Sequence, residues 1–588
     1  MARQVIQIRS QPGIKRDGTK FEGDFYVDGQ WVRWQRGLPR KIGGYRQISN
    51  FAGGVMRQFH TQALDNFIYT HMGYGTGLQR MTIDTLGNAS DPIDRTPSVY
   101  TGGVDFTWQM DAMYDSANAT AVAIIATANN SAIDISNSTA QKVYIGNYYD
   151  TARLTEITGI TASGGVCVLH PYLFVYGSNG YLQWSDANDP QNFTTGDAGD
   201  AYVDSSKIVK ILPLRGGGQA PAGIIWTLDR LIRATYVGDP GIFAFDTITA
   251  SSSVLATNSI IEYDGIYFWI GMDRFLMYNG VVKEVENNMN INYFFDGLNA
   301  EYANRIFAYK VPRYGEIWWC YPRGDATECS HAIIYNFREN TWYDTELPNG
   351  GRSAGLYAQV FHSPIMAGVV NEPAIATAVA IQAAGTGYTV GDILTVTGGT
   401  YSSQTQLNVI TVNGSGGITS VGISTIGSYS TPPSNPVSVT GGTGNSATFN
   451  LTYVNPYKIW RHEYGVNEID GSTLNAVQSY FETGDISALT SAEPRSVAIR
   501  CEMIEPDFVQ VGDMSVNITG RINARAPEVS GPIHVFPDNP QEPYQQQVFF
   551  KEQRREMRFR FESNTVNGDY QMGQVLGHID TGDGRYQS

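Results

Sequence analysis

A Gly-x-Ser-x-Gly match at Gly351-Arg352-Ser353-Ala354-Gly355 would, in a strand-turn-helix setting, present an activated serine nucleophile. Here Pro348-Asn349-Gly350 sets a turn before it and 356–361 reads as a strand after it, so no nucleophile elbow is expected. Asp186, behind Trp184-Ser185 at a strand end, is the first candidate for one of the paired carboxylates that flank a glycosidic bond. The following Asn188-Asp189-Pro190 fits an Asx turn equally well. Asp197, Asp200 and Asp204 have the spacing that opens a calcium loop, but its sixth and twelfth positions hold Tyr202 and Ile208 in place of Gly and Glu. Cys320, Cys329 and His331 lack a Cys-x-x-Cys knuckle and flank a turn at 322–325. Trp318, Trp319 and Trp342 could stack on sugars, or fill a sheet core. Gly385-Thr386-Gly387 and Gly441-Gly442-Thr443-Gly444 lie between strands, where they read as turns and not as phosphate cradles. No His-Glu-x-x-His or Walker A pattern occurs. The expectation is a protein that is not an enzyme, with no catalytic residue, no metal and no cofactor.

The elements that would position any of these groups are strands. Ile260–Gly271 followed by Phe275-Leu276-Met277-Tyr278-Asn279-Gly280 reads as a hairpin, with Asn279-Gly280 as a type I′ turn signal. Further hairpins are expected at 67–72 with 78–83, 166–176 with 181–184, 223–228 with 231–237, and 316–321 with 332–337. Hairpins in units of about 40–60 residues predict an all-β fold with a β-propeller-like core over 51–373, a β-sandwich array being the alternative. Residues 1–50 read as an N-terminal arm with the first strands.

Residues 374–455 change character, since Asp392 is the only charged side chain between Glu372 and Lys458. The segment is duplicated: Tyr388, Val396 and Asn408 recur as Tyr429, Val439 and Asn450, at offsets of 41, 43 and 42. Its flanks, 364–370 and 457–464, look like two arms of one hairpin, so a Gly/Ser/Thr-rich β domain is expected to be inserted at a hairpin tip. Residues 456–588 read as return strands and a C-terminal β domain. Within it 495–501 is a strand, 554–562 puts Met557, Phe559 and Phe561 on one face and Arg558, Arg560 and Glu562 on the other, and the tail after Gly577 is loosely held.

Composition agrees with strands: Gly 63, Pro 25 and 12% aromatics in 588 residues, with only 16% charged. Lys+Arg 40 against Asp+Glu 56 gives −16, which leaves no surplus of cations for general DNA binding. The longest apolar run, 164–176, is broken by His170 and Pro171, so no transmembrane helix is expected. Residues 1–10 have no apolar core and no cleavage site of a secretion signal. The four cysteines are too scattered for a disulfide framework and read as buried thiols. The densest cationic stretch, 31–45, carries Arg33, Arg36, Arg40 and Lys41 without an acidic residue; it could meet an acidic partner, or blunt a solvated strand edge.

Several segments together resemble the tail nozzle proteins of short-tailed bacteriophages, also called tail tubular protein B or packaged-DNA stabilisation proteins. The carriers are Gln11-Pro12-Gly13-Ile14-Lys15-Arg16-Asp17-Gly18-Thr19 with 31–45, Val168-Leu169-His170-Pro171-Tyr172-Leu173-Phe174-Val175 with Trp184-Ser185-Asp186-Ala187-Asn188-Asp189-Pro190, and Ile333-Ile334-Tyr335-Asn336-Phe337 with Thr341-Trp342. The resemblance covers most of the chain; 374–455 departs from the common core and resembles an accessory module of phage virion proteins. It implies a hexameric ring below the portal and adaptor rings, present in the virion tail at half the portal's copy number and assembled in the host cytoplasm. That ring would retain packaged DNA, pass double-stranded DNA on ejection without sequence-specific binding, and dock fibres or tailspikes. Arg33, Arg36, Arg40 and Lys41 would then face the adaptor, and Tyr388, Tyr401, Tyr429 and Tyr453 of the module would contact receptor, host envelope or fibre, or else be turn and core tyrosines of a spacer. The alternative from another class is a carbohydrate-binding or glycoside-cleaving propeller appendage.

Overall fold

The computed structural model describes residues 4–581 apart from 21–23, 52, 104, 117–119, 130–140, 216–219, 360–361, 488–497, 523–524, 540 and 542. It is all-β, as expected, with one short helix at Ile291–Gly297. Parts of the expected strands at 356–361 and 495–501, and the tail beyond 581, lie outside the described residues.

Six consecutive four-stranded antiparallel sheets open with Met56–Leu64, Thr107–Asp115, Gly165–Leu169, Ile208–Pro213, Ile261–Tyr263 and Phe307–Val311. Each runs in chain order from its first strand outward, because short turns let each strand pair with its sequence neighbour. A seventh sheet begins with Arg352–Ala358, continues through Ser363–Asn371 and Tyr457–His462, and takes its fourth strand, Tyr45–Phe51, from the N-terminal region. Neighbouring sheets pack through shared apolar clusters: Leu78 and Trp108 between the first and second, Leu173 and Ile125 between the second and third, Trp226 and Trp269 between the fourth and fifth. The succession closes on itself, since Arg352–Ala358 lies against Met56–Leu64 and Ile365 and Ile459 share a core with Met72 and Met81. Trp318, Trp319 and Trp342 are core residues of this closed set.

The expected hairpins are present, with two corrections. Residues 166–176 are a hairpin by themselves, Gly165–Leu169 pairing with Tyr172–Tyr176. Asn279-Gly280 is part of a three-residue connection, and the two-residue turn with both φ positive is Asp264-Gly265, at 54° and 77°.

The N-terminal residues form no separate arm. Gln4–Gln7, Val32–Gln35 and Leu38–Lys41 join Ile499–Val511, Val548–Arg554 and Asp569–Thr581 in one sheet, so the chain after Gly577 is paired through Thr581. Asp28–Gln30 joins Ser479–Glu482, Glu556–Ser563 and Met514–Arg521 in a second sheet. The two sheets enclose Ile504, Val516, Phe559, Phe561 and Tyr570, a core continuous with Trp34 and Trp318.

Residues 374–455 build their own six-stranded sheet, around Leu394, Leu407, Phe449 and Leu451. Its strand order mirrors the duplication. The equivalent strands Ile393–Val396 and Val437–Thr440 pair at the centre, and Ile375–Thr386 and Ile418–Thr425 each pair with a strand of the other half. The module leaves the seventh sheet where Asn371 pairs with Tyr457 and the Glu372 amide donates to the Pro456 carbonyl at 2.8 Å. All four cysteines are buried free thiols.

Candidate functional site

The cationic stretch is mostly interior. Arg33, expected to face a partner, is fully buried, donating to Glu316 Oε1 at 2.8 Å and to Glu463 Oε1 at 2.5 Å. Lys41 is buried too and donates to the Gly568 carbonyl at 2.7 Å, and burial pulls its ammonium down to about 8. Neither can touch an adaptor. Arg36 is exposed and its amide donates to Glu339 Oε1 at 2.6 Å, while Arg40 is half-buried with its guanidinium on Gln35 Oε1.

The opening motif has a physical role in the same place. Gly13 sits at φ 100°, and a Cβ there would meet the Trp342 carbonyl at 2.6 Å, so only glycine lets this strand approach the sixth sheet. Arg16 bridges Asp28 and Asp344, and Asp17 accepts the amides of Asn292 and Tyr293 at the start of the helix. Arg558, expected on a solvated face, is buried among Glu482, Asp485 and Glu528.

In the module, Tyr388 and Tyr429 are core residues and cannot contact a partner. Their hydroxyls accept the amides of Ala447 and Thr405, one from each half, so the duplication conserves a structural bond. Tyr453 is half-buried and packs on Tyr429, while Tyr401 is exposed.

The other candidates carry structural bonds. Asp186 accepts the amides of Ala187 and Asp197 at 2.9 Å, which ties the two ends of its loop together, and the Asx-turn bond belongs to Asp189, which accepts the Gln191 amide. Asp197 accepts the Tyr172 hydroxyl, and Asp204 accepts Ser206 and faces Arg230. Ser353 is buried within a strand. Cys329 donates to the carbonyls of Arg305 and Cys320. Among the described residues no group of three or more His, Cys, Asp or Glu could hold a metal.

Two features were not anticipated. First strands of three sheets bring together His60, Gln109, Asp111 and Lys210, with Asn258 from the turn Thr257–Ser259. Lys210 Nζ donates to Asn258 Oδ1 at 3.4 Å, and His60 Nε2 stands 3.9 Å from Asp111 Oδ1. Burial pushes the Asp111 carboxyl up to about 6, although the Val168 and Ala112 amides and Lys210 oppose it. Burial pulls Lys210 down to about 8 and His60 down to about 4. Asp111 keeps 31% of its side-chain exposure, so this is a solvent-reached polar cluster where the first strands meet. Gln109 and Asp111 alternate with Trp108 and Met110 in the sequence, but that pattern does not tell which strand of a sheet is innermost.

The second feature is the open side of the two-sheet domain. Val548–Arg554 ends one sheet, Val529–Ser530 and His534–Phe536 end the other, and these edges meet where His534 packs edge-on against Phe550. Val529, Ile533, Val535 and Phe549 project there, 53–69% exposed.

No protein-family model matches the chain, and no curated protein matches it.

Proposed function

We propose that this chain is a structural subunit of a phage tail nozzle, in which its closed set of seven sheets is a β-propeller-like body and copies of the chain assemble as a hexameric ring below the adaptor. The observation that carries the reading is the open side of the two-sheet domain. Two strand edges that carry no further strand among the described residues, lined by large apolar side chains, are an aggregation hazard in a solitary protein, and a neighbouring copy in a closed ring would cover them. The chemistry candidates support the reading as well: Asp186 and the buried Arg33 and Arg558 are engaged in holding the fold together, and Ser353 is buried within a strand. In this reading the acidic surface lets DNA pass without adhering, Arg36 and Arg40 are the remaining adaptor contacts, and Tyr401 is the remaining tyrosine of the module that faces fibre or envelope.

Val535→Lys with Phe549→Lys tests the reading. The doubly substituted chain is expected to fold with unchanged circular dichroism but to stay out of ring assemblies when mixed with adaptor-bearing capsids. Normal incorporation into tails would refute it. A second reading, a carbohydrate-binding or glycoside-cleaving propeller, is favoured by Asp111, whose raised affinity for a proton suits a general acid. Asp111→Asn should then abolish glycan binding or cleavage.

A further inference from the structure

The seam between the first and second sheets holds two buried guanidinium groups with no carboxylate in ion-pair contact among the described residues. Arg80 and His71 are paired directly across their strands, with His60 next in the row, and Arg95 follows two residues after Ile93, the partner of Arg80. Arg80, Arg95 and His71 are all buried. The guanidinium groups hold a loop of the second sheet by its carbonyls: Arg80 Nη1 donates to Tyr149, and Arg95 donates to Asn147 and Asp150. Among the described residues no carboxylate lies in ion-pair contact with either guanidinium. Asp150 favours both cations from beyond ion-pair distance while its carboxylate accepts the amides of Thr151 and Ala152, and Asp94 pairs with Arg153.

Carbonyls satisfy N–H groups but do not neutralise charge, and two buried guanidinium groups side by side repel. Burial and Arg80 together pull Arg95 down to about 10. Polar atoms are also left over: the Arg80 Nε and Arg95 Nε donors are buried without a hydrogen-bond partner, and so are both ring nitrogens of His71, one of which carries the N–H of the neutral ring. Tyr148, which packs on the His71 ring at 4.6 Å, spends its hydroxyl on His60.

We propose that this seam binds one small inorganic anion of the halide class, held by Arg80, Arg95 and His71. Full burial of Arg95 and His71 excludes a nucleotide or a sugar phosphate, and the donors fit a compact ion that accepts several N–H bonds at about 3–3.5 Å. Its effect would be to lock the first sheet to the second in a chain whose surface is otherwise acidic.

Bromide is the probe. Crystals of the full chain grown in sodium bromide should give an anomalous peak between Arg80 Nε and Arg95 Nε. Arg95→Gln, with its fold intact by circular dichroism, should lose that peak. In solution, replacing methanesulfonate by bromide at constant ionic strength should raise the melting temperature of the wild type saturably and leave Arg95→Gln unmoved. If Arg95→Gln does not fold, Arg80→Gln takes its place, and the wild-type peak and saturation stand as tests by themselves. No peak at the seam while surface sites are occupied, a carboxylate of Asp150 or Asp94 turned inward to the arginines, or a peak that survives the substitution as an adventitious ion only, would each overturn the proposal.

Discussion

Buried ion pairs decide what substitutions in the N-terminal cationic stretch should do. Arg33 lies between two glutamates in the interior, so Arg33→Ala leaves Glu316 buried without its charge partner and should cost about 3–5 kcal/mol. A denaturant midpoint shift far below that would show the pair to be dispensable. Arg36→Glu with Arg40→Glu should leave the midpoint in place and weaken adaptor association, which a pull-down with adaptor rings would read. Histidines set the response to acid. Burial holds His60 and His331 down to about 4, and holds His71 and His462 well below their usual value, so all four stay neutral in the folded chain while unfolded histidines protonate near 6.5. The unfolded state therefore binds more protons between about pH 4 and 6.5, and stability present above pH 6.5 is lost as pH falls through that window. Asp111 and Glu316, both raised by burial, work in the opposite direction, their contribution being lost as pH rises. Four groups against two should leave the urea midpoint lower at pH 5 than at pH 7; an equal or higher midpoint would contradict the burial of these imidazoles.

At the scale of elements, local chemistry was legible and distant pairing was not. Hairpins such as Phe67–Tyr74 with Gly77–Asp84 could be read because a short turn fixes their register within a few residues, although the Asp264-Gly265 turn was passed over for Asn279-Gly280. The return of Tyr45–Phe51 to complete the seventh sheet could not, because its partner Tyr457–His462 is some four hundred residues away and no local pattern encodes the pairing. The same holds for Val32–Gln35 and Leu38–Lys41, which looked like an arm and are strands of the two-sheet domain. Arg33 was misread for that reason: alternation next to Trp34 is the same in an edge strand and in a strand covered on both faces. The module at 374–455 was legible in its loss of charge and in its repeat, although the exchange of end strands between its halves was not. Because Asn371 and Tyr457 are already paired, replacing 372–456 by an Asn-Gly turn should leave the seventh sheet closed. The shortened chain is expected to keep the melting temperature of its remaining core within about 2–4 °C. Aggregation or loss of near-ultraviolet signal would show that the module braces the sheet.

For the whole molecule, closure and charge frame the proposed role. Seven sheets pack in a closed succession, each four-stranded one ending in its own outer strand, and Val529, Ile533, Val535 and Phe549 form one exposed apolar set on the two-sheet domain built jointly by the two ends of the chain. A cyclic ring needs two unlike faces on every subunit, and in the proposed role this apolar side is one of them. The most direct measurement is imaging of intact virions with and without imposed symmetry, fitting this chain to the tail density. The account predicts copies ringing an axial channel below the adaptor, with Val535 and Phe549 covered by the adjacent subunit. Absence from the axis, or a trimeric position at the periphery with those side chains in solvent, would contradict it and return attention to Asp111 as a sugar-facing acid.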